Sequence, residues 1–227
     1  EINRYKAGEV DLTGGVEPEQ YKALKAELGD EVQSSPILCT TYLEFNNTKA
    51  PFTDVNVRRA LNLSFDRPLF TDKVLGTGQV PAYQFTPTYT YSMGEVKPDW
   101  ADKDMATRNS EAVALLTQAG YSQSNPLNID FLYTTSDFGR MLISAATSMW
   151  KENLQGLVTV TPVNYEWKMV LENRRQGNFD LALGGWCADY NEPSTFLNVL
   201  KSNNSNNSAK YNNPAYDQLL DSTLKAS

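Results

Sequence analysis

Residues 178–200, NFDLALGGWCADYNEPSTFLNVL, constrain the fold more tightly than any other stretch of the chain. Phe179, Leu181 and Leu183 alternate with polar or small residues, the period-two pattern of a strand. Gly184 and Gly185 then remove the side chains from two successive positions, which marks a place where another backbone comes close. Trp186 and Cys187 follow, then the acidic turn Ala-Asp-Tyr-Asn-Glu, then Pro193, which fits the first turn of a helix because its missing N–H costs nothing there. A strand, two bare positions, an aromatic ring, a carboxylate and a helix start thus arrive within about fifteen residues, and a strand-end loop of this kind is a natural place for a ligand. Such a strand can accept another strand along its edge. Asp189 could neutralise a ligand cation such as an α-ammonium, and Trp186 could supply a flat apolar wall. Each also has a plainer reading: Asp189 as a turn or helix-cap carboxylate, Trp186 as a core residue.

Around this stretch, helix and strand patterns alternate. Residues 2–7 read as a helix stopped by Gly8. EVDLTGG (9–15) reads as a short strand and turn. A helix is predicted from Glu17-Pro18 to Leu28, with Tyr21, Leu24 and Leu28 on one face. Val32–Asn46 is strand-like. Thr53 or Asp54 caps a helix whose inner face is Val57, Ala60, Leu61 and Phe65. Arg58 and Arg59 on it read as a solvated face rather than an anion site. Further helices are expected at 68–75, 106–119, 137–153, 167–176, 193–200 and from Pro214 onward, with strands at 127–133 and 157–163. Residues 76–104 form a long loop, and loops of this length are usually functional or mobile. Its Tyr83, Phe85, Tyr89 and Tyr91 could line a cleft or pack the loop itself. SNNSNNS (202–208) reads as a polar segment that buries nothing and moves. The alternation argues for an α/β lobe, a mixed sheet covered by helices.

Composition removes whole classes of function. The 227 residues contain no histidine, so Ser-His-Asp triads, Cys-His dyads and histidine metal sites are excluded. The net charge of −7 opposes nucleic-acid binding, which needs a basic face. No apolar run approaches the roughly 18 residues of a membrane span. No cofactor and no metal site is expected. The two cysteines, Cys39 and Cys187, read from composition alone as two buried free thiols or as a pair.

The string GWCADYNEPSTFLN (185–198) closely resembles a segment of the periplasmic oligopeptide-binding proteins of bacterial ABC importers, members of extracellular solute-binding protein family 5. INRYKAGEVDLT, CTTYLEFNN, DVNVRRALNLSFDR, PAYQFTP, LLTQAGY, LYTTSD, NYEWK and RRQGNFD agree with the same family in the same order, so the resemblance spans essentially the whole chain. It implies a periplasmic-binding-protein-like α/β lobe with a mixed β-sheet flanked by helices. It implies a monomer that captures short peptides between two lobes and hands them to a membrane permease, with no catalysis and no nucleic acid. Asp189 then matches the carboxylate that pairs with the peptide α-ammonium. Gly185, Trp186 and Cys187 match the segment that hydrogen-bonds the ligand main chain. Trp167 and Trp186 match tryptophans lining side-chain pockets. Arg174 matches an arginine facing the cleft, and Tyr42 is a further candidate. The resemblance also implies a Cys39–Cys187 disulfide and hence a periplasmic location, since disulfides persist in oxidising compartments. Residues 1–36 are read as a strip of the neighbouring lobe and the crossover. Residues 37–227 are read as the peptide-binding C-terminal lobe, truncated at its end, with apolar surface left exposed near the start.

The chain departs from that family at one point. Positions where relatives carry basic residues for the peptide C-terminal carboxylate are Leu75, Gly139 and Leu183 here, with Lys73 and Arg140 nearby as substitutes. A murein-peptide-binding relative in cell-wall recycling is therefore an alternative. A hydrolase using Asp189 and Glu192 as an acid–base pair is a second. A purely structural or adhesive domain is a third, and it expects Trp167 and Trp186 fully buried and Asp189 engaged only with its own chain.

Overall fold

In a computed structural model, which describes residues 1–224, the chain divides into two compact units, Glu1–Pro36 with Arg67–Pro81, and Ile37–Asp66 with Ala82 onward. The helical continuation expected at Lys225 lies outside the described residues. The elements are α1 (Ile2–Lys6), α2 (Pro18–Leu28), β1 (Cys39–Phe45), α3 (Val55–Leu63), a π-helical turn (Leu69–Leu75), α4 (Met105–Gln118), β2 (Leu127–Thr134), α5 (Asp137–Asn153), β3 (Val158–Tyr165), α6 (Trp167–Gln176), β4 (Leu181–Cys187), α7 (Ser194–Leu197) and α8 (Pro214–Thr223).

The smaller unit holds α1, α2 and the π-helical turn. Leu24 is buried here, while Leu12 is 84% exposed. EVDLTGG, expected as a strand, runs as irregular chain. Among the described residues it pairs with no strand, and an unpaired strand has nowhere to place its backbone hydrogen bonds.

The larger unit carries one four-stranded sheet in the order β1-β4-β2-β3. β1 is antiparallel to β4, whereas β2 runs parallel to both β3 and β4. The chain passes from β2 through α5 outward to β3, then back through α6 across β2 to β4. Right-handed crossovers in opposite directions place α5 and α6 on opposite faces. On one face Val170 of α6 packs with Leu132, Phe179 and Ala182. On the other lie Phe131 and Leu181, both fully buried, with Phe45 stacked against Phe52 at 5.3 Å. Trp150 of α5, 1% exposed, donates its indole N–H to Leu61 O of α3 at 3.0 Å, so the bulkiest core residue has its one donor satisfied.

Local chemistry fixes the helix starts. Asp54, Asp104, Ser136 and Asn213 each accept a backbone N–H of the following first turn, as N-cap residues do. This decides between Thr53 and Asp54 in favour of the latter. Gly177 ends α6 at φ +76°, where an L side chain would be strained. Arg59 pairs with Glu111 at 3.0 Å and Arg58 donates to Phe52 O, so both serve the fold. The strand predicted over Val32–Asn46 forms only from Cys39. The helix predicted over 193–200 divides into α7 and a 3-10 turn, Asn198–Leu200.

The 202–208 segment corrects its sequence reading. Asn207 is buried, donates to Lys201 O and Tyr211 O, and accepts the Tyr211 N–H. The carboxamide supplies the hydrogen bonds that this turn's backbone needs, so a run of asparagine and serine is ordered by its own polar groups rather than by apolar burial. No helix among the described residues is long and apolar enough to cross a membrane.

Candidate functional site

The three parallel strands end at one edge of the sheet, and the carboxyl ends of parallel strands are where α/β sheets bind ligands. Trp167 follows β3 there; Trp186 and Cys187 close β4, and Asp189 lies two residues beyond. Antiparallel β1 brings its first residues, Cys39 and Thr40, to the same edge, opposite Cys187 and Trp186.

Register determines which backbone groups are free. Asn46 N–H bonds Asp180 O, and Ala188 N–H bonds Leu38 O. Both pairs fall in the Cys39↔Cys187 register, so the hydrogen-bonded pairs are the even ones, including Thr40↔Trp186 and Tyr42↔Gly184. In an antiparallel ladder the alternate residues point N–H and C=O away from that partner. Gly185 and Cys187 therefore turn their main chain away from β1, toward the side where β2 pairs β4. That pairing covers only Leu181 and Ala182. Past Ala182, Gly185 and Cys187 are exposed, and their peptide groups have no strand partner among the described residues. The result is a short open edge inside the sheet rather than at its margin.

The two glycines serve different ends. A Cβ on Gly184 would lie 2.6 Å from Tyr42 Cε2, because the Tyr42 ring lies over that position. Tyr42 is held there by Phe85, edge-on at 5.0 Å. A Cβ on Gly185 would meet nothing closer than Thr40 O at 3.7 Å. Sequence reading gave both glycines to a neighbouring backbone; Gly184 is bare for a ring, whereas a Cβ on Gly185 would meet the Thr40 main chain at ordinary contact.

Cys39 and Cys187 form a disulfide with Cα atoms 4.0 Å apart. They occupy a non-hydrogen-bonded pair, where antiparallel strands approach most closely and side chains share a face. The bond clamps β1 to β4 at the start of the site loop.

That loop braces itself and leaves one carboxylate out. Asp189 N–H donates to Thr195 Oγ1 at 3.0 Å, with Thr195 buried. Glu192 accepts the Ser194 N–H at 3.0 Å and its hydroxyl, so it organises the helix start. The Tyr190 hydroxyl meets Ser194 Oγ at 2.9 Å. The Asp189 side chain is exposed, and among the described residues its carboxylate meets no donor. Trp167 is 55% exposed. Trp186 is half-buried, with its indole N–H enclosed and unpaired. A purely structural domain calls for the opposite on all three counts. The acid–base pair loses Glu192 to the helix start.

Arg174 is buried and paired with Glu44 at 2.8 Å. Burial opposes its charge, but Glu44 and Tyr42 outweigh that and hold Arg174 above its ordinary pKa. Burial pushes the Tyr42 hydroxyl up, the Glu44 charge adds to the rise, and Arg174 partly offsets it. The second Glu44 oxygen takes the Ala209 N–H at 3.0 Å. Arg174 and Tyr42 thus support β1 and β4 from beneath. Sequence reading missed Glu44, whose alternation within β1 was the available signal, and Thr195, which lies inside the quoted motif. Gly139 cannot carry a basic side chain on this backbone, since a Cβ would stand 2.7 Å from Thr134 O.

Open β-edge, free carboxylate and two partly exposed tryptophans thus lie at the carboxyl end of the parallel strands. The chain matches the family described as bacterial extracellular solute-binding proteins, family 5, middle region, over residues 2–208, and it belongs to that family. It is 48% identical over 99% of its length to the periplasmic oligopeptide-binding protein OppA of Escherichia coli K12, and spans 41% of that protein. It is 41% identical over 98% of its length to the periplasmic murein peptide-binding protein MppA of the same organism, spanning 42% of it. A crystal structure of Haemophilus influenzae OppA in complex with RPPGFSPFR superposes with a TM-score of 0.93 at 48% identity, covering all of this chain and 44% of that one. The fold class read from the sequence is the one observed.

Proposed function

We propose that this chain supplies the peptide-gripping lobe of the solute-binding component of a peptide ABC importer, and that it acts without catalysis. The observation that carries this reading is the open edge at Gly185 and Cys187 beside the free Asp189 carboxylate. An extended peptide can add there as a short strand, and main-chain hydrogen bonds are indifferent to side-chain identity. Asp189 then pairs with the peptide α-ammonium, a charge-assisted contact that fixes where the peptide begins. Trp186 and Trp167 flank the side chains. Arg174 and Tyr42 act through the strands they hold. A ligand as long as RPPGFSPFR in a relative fits this mode, because an edge sets no length.

The chain spans about two fifths of the relatives it matches. In this reading residues 1–36 belong with a second lobe, which closes over the peptide before docking on a permease. The disulfide agrees with a periplasmic location. Affinity then rests on both lobes, so this chain alone should bind peptides with Kd well above micromolar.

The test is an NMR titration of the chain with a tripeptide and its N-acetylated form, for wild type and Asp189→Asn. The free tripeptide should bind several-fold more tightly than the acetylated one, and Asp189→Asn should abolish that difference. Equal binding of both peptides by the wild type, or submicromolar binding of either, would defeat the proposal.

A further inference from the structure

Three exposed tyrosines lie on two segments that meet two residues from Asp189. Tyr89, Tyr91 and Tyr190 are 60%, 70% and 52% exposed. Tyr190 directly follows Asp189. Tyr89 and Tyr91 come from a loop about a hundred residues earlier, and a hydrogen bond brings that loop to the site: Asn191 Oδ1 accepts the Tyr91 N–H at 2.8 Å. The latch lies two residues from Asp189.

The loop is built to present these rings. Phe85 anchors it between Tyr42 at 5.0 Å and Phe196 at 6.1 Å. Gln84 staples it across its width, donating to Thr86 O at 2.8 Å and Gly94 O at 3.2 Å while accepting the Val96 N–H. Thr86 and Thr90 are buried beneath it. Thr90 points inward while its neighbours Tyr89 and Tyr91 point outward. Single exposed aromatics are ordinary, but three on two segments joined by the Tyr91–Asn191 bond, one of them next to Asp189, point to an interaction surface.

We propose that Tyr91, assisted by Tyr89 and Tyr190, forms an aromatic wall that selects the side chain of the ligand's first residue, favouring aromatic residues there. This rests on the reading of Asp189 as the α-ammonium site, because an ammonium held at Asp189 fixes where the first side chain leaves the backbone. Tyrosine faces and edges carry opposite partial charge, so an aromatic first residue gains edge-to-face contact that glycine cannot. Asn191 is a positioning residue: it touches no ligand and sets the distance between wall and carboxylate.

The test is an NMR titration of the full chain with Phe-Ala-Ala and Gly-Ala-Ala, each free and N-acetylated. Wild type should favour the Phe peptide by about threefold to tenfold, the span expected of one aromatic contact. Tyr91→Ala should bring that ratio close to one and leave the loss on acetylation intact. Asn191→Ala should lower the ratio with Tyr91 still present, and Asn191→Asp, which keeps the acceptor, should retain it. An unchanged Phe-to-Gly ratio in Tyr91→Ala, with acetylation still weakening binding, overturns the wall alone. Indifference of the wild type to acetylation overturns the ammonium site and the wall with it.

Discussion

Gly184 and Gly185 are neighbours with opposite tolerances. Gly184→Ala drives a methyl into the Tyr42 ring, which Phe85 holds in place, and overpacking of this kind costs about 1–3 kcal/mol. Gly185→Ala meets only ordinary contact, so its stability should stay within about 0.5 kcal/mol of wild type, while the methyl crowds an incoming peptide backbone. Urea unfolding with peptide titration separates the two: loss of stability in the first, loss of binding at wild-type stability in the second. Arg174→Ala strands the buried Glu44 carboxylate and should cost about 3–5 kcal/mol, again by urea unfolding. The sequence made Gly185, Trp186, Cys187 and Asp189 legible because they are contiguous. Glu44 was not, because alternation within β1 gives only its face, while its partner Arg174 is 130 residues away.

Among the elements, helices were read most faithfully, since caps and periodicity are local, as at Asp54. Strand ends were not, because pairing decides them: β1 starts at Cys39, where β4 begins to oppose it. The Asn-rich turn was misread because composition cannot show that Asn207 satisfies a closed set of backbone groups. Hydrogen bonds from the Thr107 N–H and hydroxyl hold the Asp104 carboxyl below its ordinary pKa. A depressed carboxyl contributes stability above its unfolded pKa and loses it as pH falls through the folded one. Asp104→Ala should therefore lower the thermal midpoint at neutral pH, and the gap to wild type should narrow as pH falls through and below the carboxylate range. An equal gap at all pH values would show that the cap's charge is irrelevant. The disulfide closes a separation of 148 residues. In the chain-entropy model that corresponds to about 5 kcal/mol, an upper figure, so reduction should lower the denaturation midpoint while β1 and β4 still pair.

For the whole molecule, the family and α/β class were legible because an ordered series of segments spans the chain. Which peptide groups lie open was not, since that follows from register, and register requires the pairing of β1 with β4. We propose that the main chain of Gly185 and Cys187 receives the ligand as an added strand. Amide hydrogen exchange across β4, with and without a saturating free tripeptide, tests it most directly. Gly184 and Trp186 already bond to β1 and should be protected in both states. Gly185 and Cys187 should exchange freely alone and gain protection with peptide, giving an odd-residue pattern. Uniform protection along β4, or none at Gly185 and Cys187 while peptide is bound, would rule out strand addition at this edge.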